Sequence, residues 1–486
     1  MSVRGTAVAW PMAGQTGRRP LALWNAASLE AATGGTANTA FQVSGVEIDS
    51  RDVQAGDLFF ALQGENTDGH RFLEKAFENG AAAAVVDRPV PYPHLLVEDT
   101  TAALNAVAEA SRRRANARII GVTGSVGKTG VKEAIFAALE RSSRGHAHRS
   151  VKSYNNHVGV PLSLARMAPR ARYGVFEMGM NHAGEISALT AQVRPHVAVI
   201  TTIAPAHIEM LGSEEAIADA KAEIFEGLQP GGTAVIPADS PYFVRLCAAA
   251  ERAGAKIAAF GRSAAANVRL LDTVPAANGG SLVTAELDSR RICYTVAEPG
   301  EHWIANSLAV LAAVAAAGGD LGSAGLALAE MGGLKGRGAR HRIPVPGGTA
   351  LIIDESYNAN PASMRATLGQ LGATPASRRI AVLGSMKELG DLGPAFHAQL
   401  ARPISDACVD YAILVGEEMA PLARELSHHG GSALGSGLHF DHCADVTAAI
   451  AALDEFGLTG GDAVLVKGSN AMKLAGLVEH FTAREG

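Results

Sequence analysis

Gly121-Val-Thr-Gly-Ser-Val-Gly-Lys-Thr129 separates a short apolar run at residues 118–122 from a helical pattern at residues 132–139. A strand that ends in a glycine-rich loop and runs straight into a helix gathers backbone N–H groups at the helix N-terminus. The helix dipole adds partial positive charge there, so the arrangement is an anion cradle. In such a loop the lysine, Lys128, reaches terminal phosphates, and the hydroxyl of Thr129 can ligate Mg²⁺. Thr123, Gly124, Ser125, Val126, Gly127, Lys128 and Thr129 are therefore the candidate nucleotide ligands. The spacing departs from the strict G-x-x-x-x-G-K-[ST] form, because Val122 stands where that pattern wants glycine. The competing reading is a glycine-rich turn with its lysine in solvent, which the strand–loop–helix context disfavours.

Outward from this loop, strand-like and helical segments alternate. Strand patterns fall at residues 173–178, 196–203, 233–237 and 256–260, with helical patterns at 215–228 and 242–253 between them. Alternation of this kind predicts βαβ units around a mostly parallel sheet. Residues 268–297 change to short alternating strands around Asn278-Gly-Gly, which predicts a hairpin, and an Ala-rich helix follows at 306–317. Residues 332–346 are rich in Gly, Arg and Pro and read as a domain boundary. Alternation then resumes (350–353, 363–371, 379–383, 411–415, 462–466), predicting a second, doubly wound unit. Before the loop, residues 46–86 read as a small α/β unit, and Arg112-Arg-Arg-Ala-Asn-Ala-Arg118 reads as a solvated helix end.

Composition bounds the function. At roughly 100–200 residues per domain, 486 residues suggest about three domains. Lys plus Arg is 42 against 48 Asp plus Glu, a formal charge of −6, which leaves no electrostatic footprint for nucleic acid. No apolar stretch reaches the length of a membrane span, about 20 residues. Cys247, Cys293, Cys408 and Cys443 have no C-x-x-C spacing, which fits a reducing, cytoplasmic setting and no zinc ribbon. Residues 1–20, broken by Pro11 and Pro20, read as a flexible extension and not as a signal peptide.

A phosphate loop alone names no reaction. No N-K-x-D motif is present, which disfavours a GTPase, and the acidic strand end Leu351-Ile-Ile-Asp-Glu355 lies far downstream of Lys128. If both face one nucleotide, that nucleotide sits between two domains. Ser153-Tyr-Asn-Asn-His157, Phe176-Glu177 and Ala206-His-Ile-Glu209 also put polar residues at strand ends. Ligands of doubly wound sheets bind beyond those ends, so Glu177 and His207 point at the same crevice as the loop. Glu177 supplies an oxygen suited to a hard cation. The residues alone leave His207 open between a ligand and a loop-packing residue.

The chain resembles the Mur ligases, in the branch that adds D-alanyl-D-alanine during peptidoglycan synthesis. The resemblance rests on Asp49-Ser-Arg51, Gly56-Asp-Leu-Phe-Phe-Ala-Leu-Gln-Gly64, Asp68-Gly-His70, the phosphate loop and Tyr154-Asn-Asn-His-Val-Gly-Val-Pro161. It continues through Glu177-Met-Gly-Met-Asn181, Gly184-Glu-Ile186, His207, Ala220-Lys-Ala-Glu-Ile224 and His302 with Asn306. Asp354-Glu-Ser-Tyr-Asn-Ala-Asn-Pro361, Gly384-Ser-Met-Lys-Glu-Leu-Gly390 and Lys467-Gly-Ser469 complete it. The pieces span about residues 21–481; those around Tyr357 and Met386 are more specific to the branch than the phosphate loop is.

The resemblance implies a UDP-muramoyl-peptide-binding domain at 21–113, an ATP-binding domain at 114–338 and a Rossmann-like dipeptide-binding domain at 339–486. It implies ATP and two Mg²⁺ ions, with metal ligands Thr129, Glu177, His207 and a carbamylated Lys221, and with Lys128, Lys221 and His207 serving catalysis. Asn306 would lie along the adenine. Arg337, Asp354 and Asn358 would approach the nucleotide from the hinge and third domain, and Ser50, Arg51, Asn155 and Asn156 would bind the UDP-N-acetylmuramoyl-tripeptide. The implied reaction is ATP-dependent ligation through an acyl phosphate, by a cytoplasmic monomer with no nucleic-acid partner. The residues alone make Lys221 an ordinary helix lysine. Three positions depart from the family pattern: Trp303, Glu355 and Ser385. The rival readings are the preceding ligase, whose D-N-P-R motif is missing, a folylpolyglutamate synthase, and a P-loop ATPase acting as a scaffold.

Overall fold

The computed structural model describes residues 22–64, 67–205, 208–276, 279–429 and 438–483. The chain divides into two compact units, residues 1–111 and 112–486. In the first, a five-stranded sheet has the order Thr36–Ala37, His94–Leu96, Ala83–Val86, Asp57–Phe60, Gly45–Glu47. All its pairings are parallel except that of Thr36–Ala37. Phe59, Leu73, Ala84 and Val86 form its core, and helix Leu73–Glu78 covers one face.

The second unit holds two sheets. The larger has nine strands, in the order Arg290–Val296, Ser281–Leu287, Val268–Pro275, Lys256–Gly261, Thr233–Pro237, Val197–Ile200, Arg118–Thr123, Tyr173–Glu177, Ala147–Arg149. Strand Arg118–Thr123 is apolar and buried from Ile119 onward, as a strand covered on both faces must be. From it the chain runs to the edge at Ala147–Arg149, returns to Tyr173–Glu177, and only then crosses to Val197–Ile200 on the other side. That reversal of strand order opens a crevice at the carboxyl ends of these strands. Helices Lys128–Ser143 and Glu301–Ala316 pack over the sheet through Val131, Ile135, Leu308 and Leu311.

The smaller sheet runs Ala339–Val345, Gly348–Glu355, Ala463–Lys467, Arg379–Gly384, Tyr411–Val415, His439–Cys443, parallel except for its first strand. The chain is thus mixed α/β with mostly parallel sheets, as expected. The details differ in three places. Residues 339–345, read as part of a boundary, form an edge strand in which Pro344 is tolerated because an edge leaves one side of the ladder unpaired. Residues 268–296 make a three-stranded antiparallel meander and not one hairpin; Asn278, at its expected turn, lies outside the described residues. Arg112 is not solvated: it is buried, and its guanidinium donates to the carbonyls of Val193 (2.7 Å) and Arg194 (2.8 Å). Among the described residues no helix is long and apolar enough to cross a membrane.

One ion pair, between a buried Asp462 and a half-buried Arg378, staples the smaller sheet. Arg378 donates to both Asp462 oxygens (2.9 and 2.5 Å), Thr459 N donates to the same carboxylate at 2.7 Å, and the guanidinium lies over Phe456. Burial pushes the Asp462 carboxyl up, but Arg378 and the Thr459 amide together hold it below its ordinary value. Asp462→Asn should cost about 2–3 kcal/mol in urea unfolding at pH 7, because it leaves the guanidinium without its charge partner. A depressed carboxyl stabilises above its unfolded pKa, about 3.9, and loses that contribution as pH falls through the folded value. The gap between wild type and variant should therefore close in acid; a gap that is constant with pH would contradict the pairing.

Candidate active site

The phosphate loop is set by its neighbours. Gly124 has φ +147°, and a Cβ there would sit 1.9 Å from Thr201 Oγ1, so the position admits only glycine. The Thr201 hydroxyl donates to Val126 O at 2.6 Å. Ser125 is tied to the same segment: its N–H donates to Thr202 O (2.7 Å) and its hydroxyl to Ala204 O (2.9 Å). Gly127 (φ +87°) lets the Asn306 amide approach, since a Cβ would lie 2.9 Å from Asn306 Oδ1. Behind the loop, Trp303 packs on Gly130, where a Cβ would meet the indole at 2.7 Å. Thr123 Oγ1 is buried inside the strand and has no hydrogen-bond partner among the described residues.

Glu177 ends its strand 1% exposed. It accepts from Thr129 Oγ1 (2.8 Å) and Asn155 Nδ2 (2.9 Å), and the ammonium of Lys132 is 3.9 Å away. Lys132, which the sequence reading passed over, is fully buried and donates to the carbonyls of Ser150 and Lys152 (both 2.9 Å). It anchors the segment carrying Ser153, whose hydroxyl accepts from Arg337 Nη2 at 3.2 Å. A carboxylate and a hydroxyl 2.8 Å apart are hard oxygen donors of the kind Mg²⁺ takes. Among the described residues no group of three His, Cys, Asp or Glu side chains is arranged to hold a metal ion, so a cation here would complete its shell with phosphate oxygens and water. His207 lies outside the described residues.

The strand ends of the smaller sheet complete a cleft of about 300 Å³, lined by Lys128, Glu177, Asn306, Arg337, Glu355, Asn358 and Lys467 among others. Arg337 lies over the Tyr357 ring at 4.1 Å. Lys467 pairs with Glu355 at 3.4 Å and donates to Asn358 O at 3.0 Å. Asp354 does not line the cleft. Its oxygens accept from Gly336 N (2.8 Å) and the Ser356 hydroxyl (2.6 Å), so this carboxylate fixes the hinge, and its neighbour Glu355 lines the cleft instead. Asn156 does not line the cleft either: the residue is exposed, and its amide oxygen accepts from Gly159 N at 2.9 Å. In the first unit, Ser50 is buried with its carbonyl bound by Asn79, while Arg51 extends into solvent beside Asp49.

The electrostatics are lopsided. Burial lowers Lys128, only partly opposed by Glu177, and Arg337 lowers it further. Burial also lowers Lys467 against the pull of Glu355. Lys221, 2% exposed on helix Glu214–Ala222, is held well below the ordinary lysine value by burial and then by Lys128. His302 is pushed down to about 4 by burial and Lys467. Too few carboxylates face these cations, and a polyanion would restore the balance.

Comparison with known proteins agrees with this construction. Three family models match in order: Mur ligase family, catalytic domain, over residues 42–123; Mur ligase middle domain over 122–314; and Mur ligase, glutamate ligase domain, over 341–470. A UDP-N-acetylmuramoyl-tripeptide–D-alanyl-D-alanine ligase of Synechocystis is 35% identical over 464 residues, covering 91% of this chain and 92% of that protein. The Escherichia coli protein of the same name is 34% identical, covering 84% and 86%. The crystal structure of MurF from Acinetobacter baumannii superposes with a TM-score of 0.80 at 28% identity, over 95% of this chain and 99% of that one. The MurF ligase of Thermotoga maritima in complex with ADP gives 0.72 at 25% identity, over 90% and 97%. With the domain models, the near-full-length relatives and the backbone in agreement, the chain belongs to the Mur ligase family.

Proposed function

We propose that this Mur ligase joins the amine of D-alanyl-D-alanine to the terminal carboxylate of UDP-N-acetylmuramoyl-tripeptide, consuming ATP and releasing ADP and phosphate. A cytoplasmic monomer with domains at 21–113, 114–338 and 339–486 fits this reading. The observation that carries it is the cleft of cations built by both sheets of the second unit, in a chain 35% identical over 91% of its length to a ligase of that name. The substrate carboxylate attacks the γ-phosphorus, forming an acyl phosphate as ADP leaves. The dipeptide amine then attacks the acyl carbon, phosphate departs, and the amine gives up its proton. Lys128, Arg337 and Lys467 face the phosphates and offset charge on the transferred group, where positioning and electrostatics dominate. Asn306 borders the nucleoside side, and Asn358 sits in the loop held by Lys467.

Thr129 and Glu177 would hold one Mg²⁺, and His207 with carbamylated Lys221 the second; the ions would supply charge neutralisation at the phosphates. The burial of Lys221 supports the carbamate. A neutral amine is the form that adds CO₂, and burial beside Lys128 favours that form. Carbamylation would also turn a like-charge contact into an attractive one.

Phosphate release should require both the UDP-muramoyl-tripeptide and D-alanyl-D-alanine. Equal release with either substrate omitted would overturn the assignment and favour a scaffold ATPase.

Lys128→Ala should lose about 10²–10³-fold in turnover at an unchanged melting temperature, and wild-type turnover would remove Lys128 from the reaction. Lys221→Ala should be nearly inactive and partly rescued by formate or acetate. Lys221→Arg should be inactive and unrescued, because its charge stays positive and its bulk remains. Wild-type turnover in Lys221→Ala would exclude the carbamate.

A further inference from the structure

At the opposite pole of the nine-stranded sheet from the phosphate loop lies a second cavity, of about 360 Å³. It opens where strands Arg118–Thr123 and Tyr173–Glu177 begin, and Ala317 closes it after helix Glu301–Ala316. Arg118, Arg172 and His196 line it, with Asn116 and Tyr173. This is where the basic stretch at residues 112–118 ends, and nothing in the ligase reading uses it.

Arg118 N donates to Arg172 O at 2.9 Å, so the two arginines occupy neighbouring strand starts, and both line the cavity. Arg112 and Arg194 add to the same region, the first buried against the carbonyls of Val193 and Arg194. Among the described residues none of Arg112, Arg118, Arg172 and Arg194 has a carboxylate partner; Arg118 finds only the carbonyl of Ala316, at 3.1 Å. The chain carries a net charge of −6, yet none of the described residues that line this cavity is acidic.

The imidazole is set for the same task. His196 Nδ1 accepts from Ile119 N at 3.0 Å, so the proton of the neutral ring sits on Nε2 and is free to donate. Burial, then Arg112 and Arg118, push His196 down to about 4, with no acidic group acting in the opposite sense.

We infer that this cavity binds a phosphate or diphosphate group carried by a small soluble molecule. Guanidinium forks grip tetrahedral oxyanions through paired N–H bonds, and several positive charges favour a polyvalent anion. The lining offers Ala117 and Ala317 as its apolar side chains, too little to enter a bilayer, which selects a soluble ligand over a lipid headgroup. The cavity and the nucleotide cleft lie at opposite ends of the same sheet, so the inference stands or falls independently of the ligase reading.

The test is a calorimetric titration of inorganic pyrophosphate into the full chain, with EDTA present and the nucleotide cleft saturated by ADP. One further equivalent should bind. The double variant Arg118→Gln, Arg172→Gln should bind it at least tenfold more weakly at an unchanged melting temperature. If the double variant fails to fold, each single variant should still weaken binding measurably. No binding by the ADP-saturated wild type, or equal affinity in wild type and variants, would overturn the inference. Arginine-dependent binding to phosphatidylglycerol vesicles, without pyrophosphate binding, would overturn the choice of a soluble ligand.

Discussion

Buried positive charge without enough negative charge to meet it is the constraint on which this molecule depends. Lys221 and Lys467 are buried, Lys128 is half-buried where it lines the cleft with Arg337, and Glu177 and Glu355 are the carboxylates that act on Lys128 and Lys467. A buried cation costs several kcal/mol unless paired, so a folded chain that keeps such a set has a reason outside its own stability. A nucleotide polyphosphate would supply the missing charge. Binding energy and catalytic field then come from one arrangement, because the cations are held in place before the substrate arrives.

Secondary structure delivers those groups by one repeated device. Glu177, Glu355 and Lys467 stand at the carboxyl ends of parallel strands, while Lys128 and Thr129 begin the helix that follows another. Parallel sheets place all such ends on one edge, and two sheets facing each other produce a cleft neither could make alone. Between them the hinge is held by Asp354, which clamps Gly336, and by Arg337, which reaches Ser153 on the nucleotide side and Tyr357 on the other. The segment bearing Ser153 is in turn anchored by Lys132, one helical turn beyond Lys128. The lining of the cleft and the relative placement of the two sheets therefore share residues.

Much of this was legible in the residue order, because the signals were local. The loop from Gly121 to Thr129, the apolar strand runs and the polar strand ends are contiguous patterns. What escaped was set by partners distant in sequence. Residues 339–345 look like a linker because an edge strand exposes half its side chains and accepts Pro344. Helix Leu321–Glu330 carries Gly322 and Gly325, which mute its pattern, and strand His439–Cys443 is polar at three of its positions. Within the site, the resemblance pointed to Asp354, whereas Glu355 lines the cleft. Consecutive strand residues face opposite sides, and only the pairing of Asp354 with Ala339 and Val466 decides which acid meets the cleft. Lys467 had a readable signal, a lysine closing an apolar strand before Gly-Ser, and Lys132 had one in its spacing of four from Lys128.

If the cleft lysines are short of negative charge until nucleotide arrives, binding must shift their protonation. Calorimetry of metal-free ADP binding in buffers of differing ionisation enthalpy measures the protons exchanged. Lowered lysine pKa values that rise beside phosphate predict net proton uptake on binding at alkaline pH, reduced in Lys128→Ala. Zero exchange, or net release, would contradict the claim.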